Sequence, residues 1–340
     1  MEPSSGPFIP RISKPAVVIL GPTASGKSQL AQALCQSIGG EIISADSMQI
    51  YRGMDIGTGK VMPAEQLVPH YGLDLVEPGT SYSVAMFQDY ARHKIQEIDS
   101  RGLVPVICGG TGLYIRGIID GYEYPSGDPG ENPFRKQYEG YLEQHGAQAL
   151  WELLKSRDAA SAEIIHPNNA RRVVRALELW EEGKSYAVQA DKLASIPQVV
   201  PAIQIGLQVD PAILNARIDT RVDGMIDQGL VEEVSTLLDQ GFRDAITAPQ
   251  AIGYKEIVAY LENKCSLDEA IQQIKIASHR YGKRQRSWFR RDGRIHWLDA
   301  NSYQLETLVK SSRDIIFREQ NITREATDYG TGVCETKRLG

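Results

Sequence analysis

Gly21-Pro22-Thr23-Ala24-Ser25-Gly26-Lys27-Ser28 is the stretch on which the reading of this chain turns. The octapeptide satisfies G-x-x-x-x-G-K-S/T and joins two segments of opposite texture. Before it, Pro15-Ala-Val-Val-Ile-Leu20 is a short β-branched run, the pattern of a buried strand. After it, helical apolar spacing continues to Ile38 and stops at Gly39-Gly40. A glycine-rich turn between strand and helix aims backbone N–H groups and a helix N-terminus at one spot, which suits a di- or triphosphate. Lys27 then reaches terminal phosphate oxygens, and the Ser28 hydroxyl is placed to ligate Mg²⁺. All eight residues from Gly21 to Ser28 are therefore candidate phosphate-binding residues, although the motif does not say which phosphate compound binds.

The same alternation continues outward. Glu41–Ala45 reads as a second buried strand delivering Asp46 at its end, and Ser83–Ser100 has helical spacing ended by Gly102. Leu103–Cys108 is a third strand, breaking into Gly109-Gly110-Thr111-Gly112 and a helix from about Leu113. Strands alternating with helices, with glycine-rich turns after the strands, predict an α/β fold: a doubly wound parallel sheet with ligands at its C-terminal strand ends. From Pro125 the texture changes to a Pro/Gly-rich stretch followed by helical patterns over Tyr138–Ile165 and Asn169–Glu182. The run Ala202–Val209 resumes the sheet pattern. Helices are then expected near Pro211–Asp227, Leu230–Gln240, Pro249–Glu262 and Leu267–Arg291, the last begun by a capping box, Ser266-x-x-Glu269.

The expected organisation is a discontinuous core, 15–125 and 206–318, with an all-helical insertion at 126–205. Disordered ends are expected at 1–14 and 319–340. At 340 residues the chain has room for two or three domains, and its 42% hydrophobic and 24% charged residues are those of an ordinary globular protein. Its longest apolar runs fall far short of the roughly 18 residues a membrane span needs, so no membrane partner is expected. With no secretory signal visible, and four cysteines (Cys35, Cys108, Cys265, Cys334) too scattered for a zinc or redox pair, a cytoplasmic location is expected.

The charge pattern narrows the function. A net charge of −6 excludes a protein that coats nucleic acid by bulk charge. Yet Arg280, Lys283, Arg284, Arg286, Arg290, Arg291 and Arg294 face a single acid, Asp292, between His279 and Arg294. An apolar stripe of Ile271, Ile274, Tyr281 and Trp288 should pack this helix on the core and leave the basic face to solvent. Solvated faces usually mix signs, so this one favours nucleic acid. Arg171, Arg172 and Arg175 form a second basic group, and two such faces suggest a cleft for a polyanion longer than a nucleotide. A P-loop NTPase also expects a carboxylate at the end of a neighbouring apolar strand, and Leu103–Cys108 ends in Cys-Gly-Gly-Thr instead. Asp46 remains. It is either a general base beside the phosphates or a turn and capping residue.

Eight motifs occur in order: Gly-Pro-Thr-Ala-Ser-Gly-Lys-Ser, Asp-Ser-Met-Gln-Ile-Tyr (46–51), Asp-Ile-Gly-Thr-Gly-Lys (55–60), Gly-Gly-Thr-Gly-Leu-Tyr (109–114), His-Pro-Asn (166–168), Arg-Ala-Leu-Glu (175–178), Ile-Gly-Tyr-Lys-Glu (252–256) and Lys-Arg-Gln (283–285). Together they resemble the tRNA dimethylallyltransferase (isopentenyltransferase) family, bacterial type, over about residues 15–300. Asn169-Ala170 and Ser278-His279 depart from the family's usual residues.

The resemblance implies transfer of a dimethylallyl group from dimethylallyl diphosphate to N6 of the adenosine 3′ of the anticodon. It implies Asp46 as general base, Thr111 as its helper, and Lys27, Mg²⁺ on Ser28 and an Arg of the Arg217/Arg221 pair on the leaving diphosphate. Together with the basic groups read from the charge pattern, this gives the expected tRNA contacts as Asp46, Ser47, Met48, Gln49, Thr111, Arg171, Arg172, Arg175, Gly253, Tyr254, Lys255, Arg280, Lys283, Arg284 and Gln285; a monomer is expected. Prenylation of free adenine nucleotides, or a P-loop kinase activity, are the alternatives.

Overall fold

The computed structural model describes residues 7–122, 132–194, 196–240, 242 and 248–330. The chain divides into two compact units, Asp120–Gln198 and the remainder on either side of it. The larger unit opens with β1 (Ala16–Leu20), α1 (Lys27–Ile38), β2 (Gly40–Ser44), β3 (His70–Tyr71), α2 (Val84–Ser100), β4 (Val104–Gly109) and α3 (Gly112–Ile119). The smaller unit holds α4 (Pro133–Arg157), α5 (Ala159–Ile164), α6 (Ala170–Glu181) and α7 (Tyr186–Ala194). The chain then returns to the larger unit through β5 (Ala202–Gln208), α8 (Pro211–Asp227), α9 (Leu230–Asp239), α10 (Tyr254–Leu261), α11 (Leu267–Phe289), β6 (Ile295–Asp299) and α12 (Leu305–Gly330).

All strand pairs are parallel, in the order β3-β2-β4-β1-β5-β6. β1, β2 and β4 are buried along their whole length, which is why β1 and β4 read as nearly continuous apolar runs rather than alternating ones; in β2 the buried Glu41 is paired with Arg101. The two edge strands, β3 and β6, escaped sequence reading. β3 has two residues, and Ile295-His-Trp-Leu-Asp299 mixes polar groups into a half-exposed strand. The register pairs Leu20 with both Gly109 and Gly206, and Ser44 with Cys108. The strands therefore end level, and the turns after β1, β2 and β4 open at one edge.

Several expected boundaries move. β5 starts inside the expected 126–205 insertion, and Val199 already donates its N–H to the Ile119 carbonyl (2.8 Å), so the larger unit resumes at Val199. The single helical pattern expected over Tyr138–Ile165 breaks twice. Gly146 leaves helical geometry inside α4, and Asp158 caps α5 by accepting the Ser161 N–H. Residues 7–14, expected to be disordered, are tied to α2: Ser13 bonds Asp99, the Phe8 carbonyl accepts from the buried Arg92, and the Phe8 ring stacks on His93. The expected disordered tail is helical through Gly330, while 1–6 and 331–340 lie outside the described residues. The capping box forms as its spacing requires, with Ser266 accepting from the Glu269 N–H and Glu269 from the Ser266 N–H.

Candidate active site

The phosphate loop leaves β1 at Gly21 and enters α1 through Gly26, whose φ of 90° is one a side chain resists. A Cβ there would also fall 2.0 Å from the Tyr303 ring, which packs beneath the loop and donates its hydroxyl to the Gly26 carbonyl at 2.8 Å. Burial pushes the Lys27 ammonium below its ordinary pKa, with Cys108, Arg221 and Asp46 close enough to act on it. Burial likewise raises the Cys108 thiol to about 11, so it remains protonated at neutral pH. That thiol lies beside Lys27 and Ser28, where an NTPase would place its strand-end carboxylate.

A cavity of about 310 Å³ opens against this loop. Thr23, Lys27 and Ser28 line one side, Asp46 to Gln49 another, and Arg221, Tyr281 and Arg284 close it. A second cavity, about 820 Å³, adjoins it and shares Lys27, Ser28, Gly59 and Arg221. Asp46 Oδ1 accepts the Met48 N–H at 2.9 Å, so Asp46 holds its own turn, and it also lines the cavity. Thr111 Oγ1 accepts the Ser47 N–H at 3.3 Å and thereby steadies the same turn. Gln49 spans to the Asp55–Lys60 loop, accepting from the Ser44 hydroxyl and donating to the Thr58 and Gly59 carbonyls.

The Arg217/Arg221 pair divides. Arg221 lies in both cavities, and burial lowers its pKa against an opposing pull from Asp46. Arg217 lines only the second cavity. Its guanidinium donates to the Ala300 and Asn301 carbonyls at 3.0 and 2.6 Å and sits over the Tyr303 ring.

Other candidates shift. Gln285, expected on the RNA side, is buried: its Oε1 accepts the Thr23 N–H and its Nε2 donates to the Gly110 carbonyl, both at 2.9 Å. Tyr254 is fully buried, its hydroxyl on Glu233 at 2.5 Å, so it braces the fold instead of meeting RNA. Gly253 lines the first cavity, and Lys255 is exposed. Arg280, Lys283 and Arg284 are exposed as expected, but Trp288 is not packed away with Ile274; it keeps 38% of its surface. In the smaller unit Arg171 and Arg172 are exposed, whereas Arg175 is held by the buried Glu178 at 2.9 Å.

A profile described as IPP transferase matches residues 49–292. The chain belongs to the IPP transferase family. A second profile, described as isopentenyl transferase, matches residues 15–68. The tRNA dimethylallyltransferase of Carboxydothermus hydrogenoformans is 46% identical over 303 residues, 88% of this chain and 96% of that one. The crystal structure of the tRNA isopentenylpyrophosphate transferase of Bacillus halodurans is 38% identical, with a TM-score of 0.69 over 93% of this chain and all of that one. A eukaryotic dimethylallyltransferase, seen in crystallographic snapshots acting on tRNA, is 28% identical, with a TM-score of 0.74 over 96% of this chain and 82% of that one.

In this IPP transferase the sequence reading missed three supports of the site. Glu233 accepts the N–H groups of Asp55, Ile56 and Gly57 and fixes the loop that Gln49 and Arg221 reach. Tyr281 faces Thr111 and Gln285, and burial raises its hydroxyl to about 12. Tyr303 lies 277 residues from its Gly26 partner, a pairing that no local pattern announces. Among the described residues no cluster of three or more His, Cys, Asp or Glu is placed to hold a metal ion.

Proposed function

We propose that this IPP transferase moves the dimethylallyl group of dimethylallyl diphosphate to N6 of the adenosine 3′-adjacent to the anticodon in tRNA. The observation that carries this reading is one cavity lined by both Lys27-Ser28 and Asp46. An anionic leaving group and a proton acceptor are thereby offered to the same reacting centre. The relatives' activities, read from their names, agree with it.

The N6 lone pair is delocalised into the adenine ring, which makes the amine a weak nucleophile. In the proposed step N6 attacks C1 of the dimethylallyl group while the C1–O bond breaks and its electron pair leaves with the diphosphate. Asp46 takes the N6 proton. Oδ1 is engaged by the Met48 N–H, so Oδ2 is the accepting atom. Lys27 and Arg221 meet the charge that grows on the diphosphate, and Thr111 acts through Ser47 by holding the turn that carries Asp46. The adenine has to leave the anticodon-loop stack to reach this position.

Ser28 suits Mg²⁺, which keeps several waters and takes most remaining ligands from substrate phosphates. A single protein hydroxyl beside the phosphate loop fits that habit. When bound, Mg²⁺ would neutralise diphosphate charge. The absence of a carboxylate where Cys108 stands supports a prenyl diphosphate over ATP. No described helix is long and apolar enough to cross a membrane. A cytoplasmic monomer completes the proposal.

The test is incubation with dimethylallyl diphosphate and either total tRNA or AMP, ADP and ATP, followed by nucleoside mass analysis. A gain of one dimethylallyl group on a tRNA adenosine is expected. Prenylated free nucleotide with unmodified tRNA would establish the adenylate alternative instead. ATP hydrolysis with no transfer would establish a kinase-type site.

A further inference from the structure

We infer that Trp288 is a stacking platform for an unpaired nucleobase of the RNA, one adjacent to the adenosine that enters the cavity. This rests on the tRNA reading above and adds an interaction that the reading does not require.

Three observations meet at this residue. First, α11 carries Ile274 at 2% exposure, yet Trp288, expected in the same buried stripe, is 38% exposed, and Leu113 nearby is 43% exposed. Second, the indole is seated by the backbone of α3: a Cβ on Gly112 would fall 2.1 Å from Trp288 Nε1, so only glycine admits the ring there. Gly112 follows Thr111, which is bonded to the Asp46 turn through Ser47. Third, Trp288 stands one helical turn beyond Arg284 and Gln285, which line the cavity. Four residues at about 1.5 Å each give about 6 Å, the scale of one to two nucleotides at about 3.4 Å.

The surrounding charge suits the backbone of that nucleotide. Arg284, Arg290 and Arg291 are exposed along the same stretch. The acid among them, Asp292, is taken up by Arg294 at 2.6 Å. An exposed aromatic ring flanked by arginines is how single-stranded RNA is held without base-specific hydrogen bonds. The run from 279 to 294 is nearly single-signed, seven cations to one acid, which suits a polyanion better than the mixed charges of a protein surface.

The experiment uses the full chain and an anticodon stem-loop. Trp288→Leu is expected to raise the RNA Kd and KM roughly 5- to 150-fold, the usual worth of one stacked base. The kcat at saturating RNA and the affinity for inorganic pyrophosphate should not move, and Trp288→Phe should restore most of the loss. A 2-aminopurine placed at either neighbour of the target adenosine should change its fluorescence on binding the wild-type chain, and less so with Trp288→Leu. RNA affinity of Trp288→Leu within twofold of wild type would overturn the inference. So would 2-aminopurine that is silent at both neighbours with the wild-type chain, a measurement that stands even if Trp288→Leu fails to fold. Wild-type protein that modifies tRNA while the 2-aminopurine stays silent overturns this inference alone; wild-type protein that modifies no tRNA overturns the proposed function.

Discussion

Asp46 holds its own turn through Oδ1, which makes Asp46→Asn an informative change. The amide keeps the oxygen that accepts the Met48 N–H and loses the ability to take a proton. Turnover is expected to fall about 10²- to 10⁴-fold, the usual worth of a general base. Affinities for tRNA and pyrophosphate should stay within a few-fold, as read by titration calorimetry; turnover near wild type would leave Asp46 a turn residue only. Gln285 offers the complementary case. Gln285→Met fills the same space but strands the Thr23 N–H and the Gly110 carbonyl, which the glutamine pairs. The expected cost is about 1–3 kcal/mol of stability. Because Thr23 belongs to the phosphate loop, pyrophosphate binding should weaken too. Denaturant titration and calorimetry on one sample check both, and unchanged pyrophosphate affinity would sever Gln285 from the loop's function.

At the scale of the element, α11 works on two faces. Gln285 and Tyr281 turn into the site, whereas Arg280 and Lys283 stand in solvent, and Arg284 both lines the cavity and is exposed. Replacing Arg280 and Lys283 by Ala should flatten the log–log salt dependence of tRNA binding by about 0.7–0.9 for each phosphate left without its cation. Pyrophosphate affinity should not change in that double variant. An unaltered salt slope would mean these side chains are merely solvated. The same helix is started by the Ser266/Glu269 box, so Ser266→Ala is expected to cost about 1 kcal/mol, seen as a lower Tm with activity retained below it. α11 is also braced against α8, with His279 on Asp219 at 2.7 Å and Lys275 on Asp223 at 2.7 Å. That pairing gives the unusual His279 a place in the fold.

For the whole molecule, the smaller unit leaves and rejoins the chain at neighbouring points. Gly121 donates its N–H to the Pro197 carbonyl at 2.9 Å, and Val199 donates to Ile119 at 2.8 Å. Replacing 120–198 with a short Gly/Ser linker should therefore leave a cooperatively folding core that binds pyrophosphate and no longer prenylates tRNA. Near wild-type tRNA transfer by this protein would refute a tRNA role for Arg171 and Arg172; a core that cannot fold would make the unit part of the fold's own support. The sequence by itself determined the parallel α/β core, the phosphate loop, Asp46 at the end of the second strand and the basic helix, because each is a local pattern of period, turn chemistry or charge. It could not determine which face of a helix the partners would claim. Gln285 and Arg284 are neighbours in one motif, yet the first is locked between two backbone groups and the second is exposed at the cavity wall. The same holds for Tyr303 beneath Gly26, Glu233 on the Asp55–Gly57 backbone, and Trp288 beside Gly112. These pairings join residues far apart in the chain, and only the packed sheet and helices bring their atoms into contact.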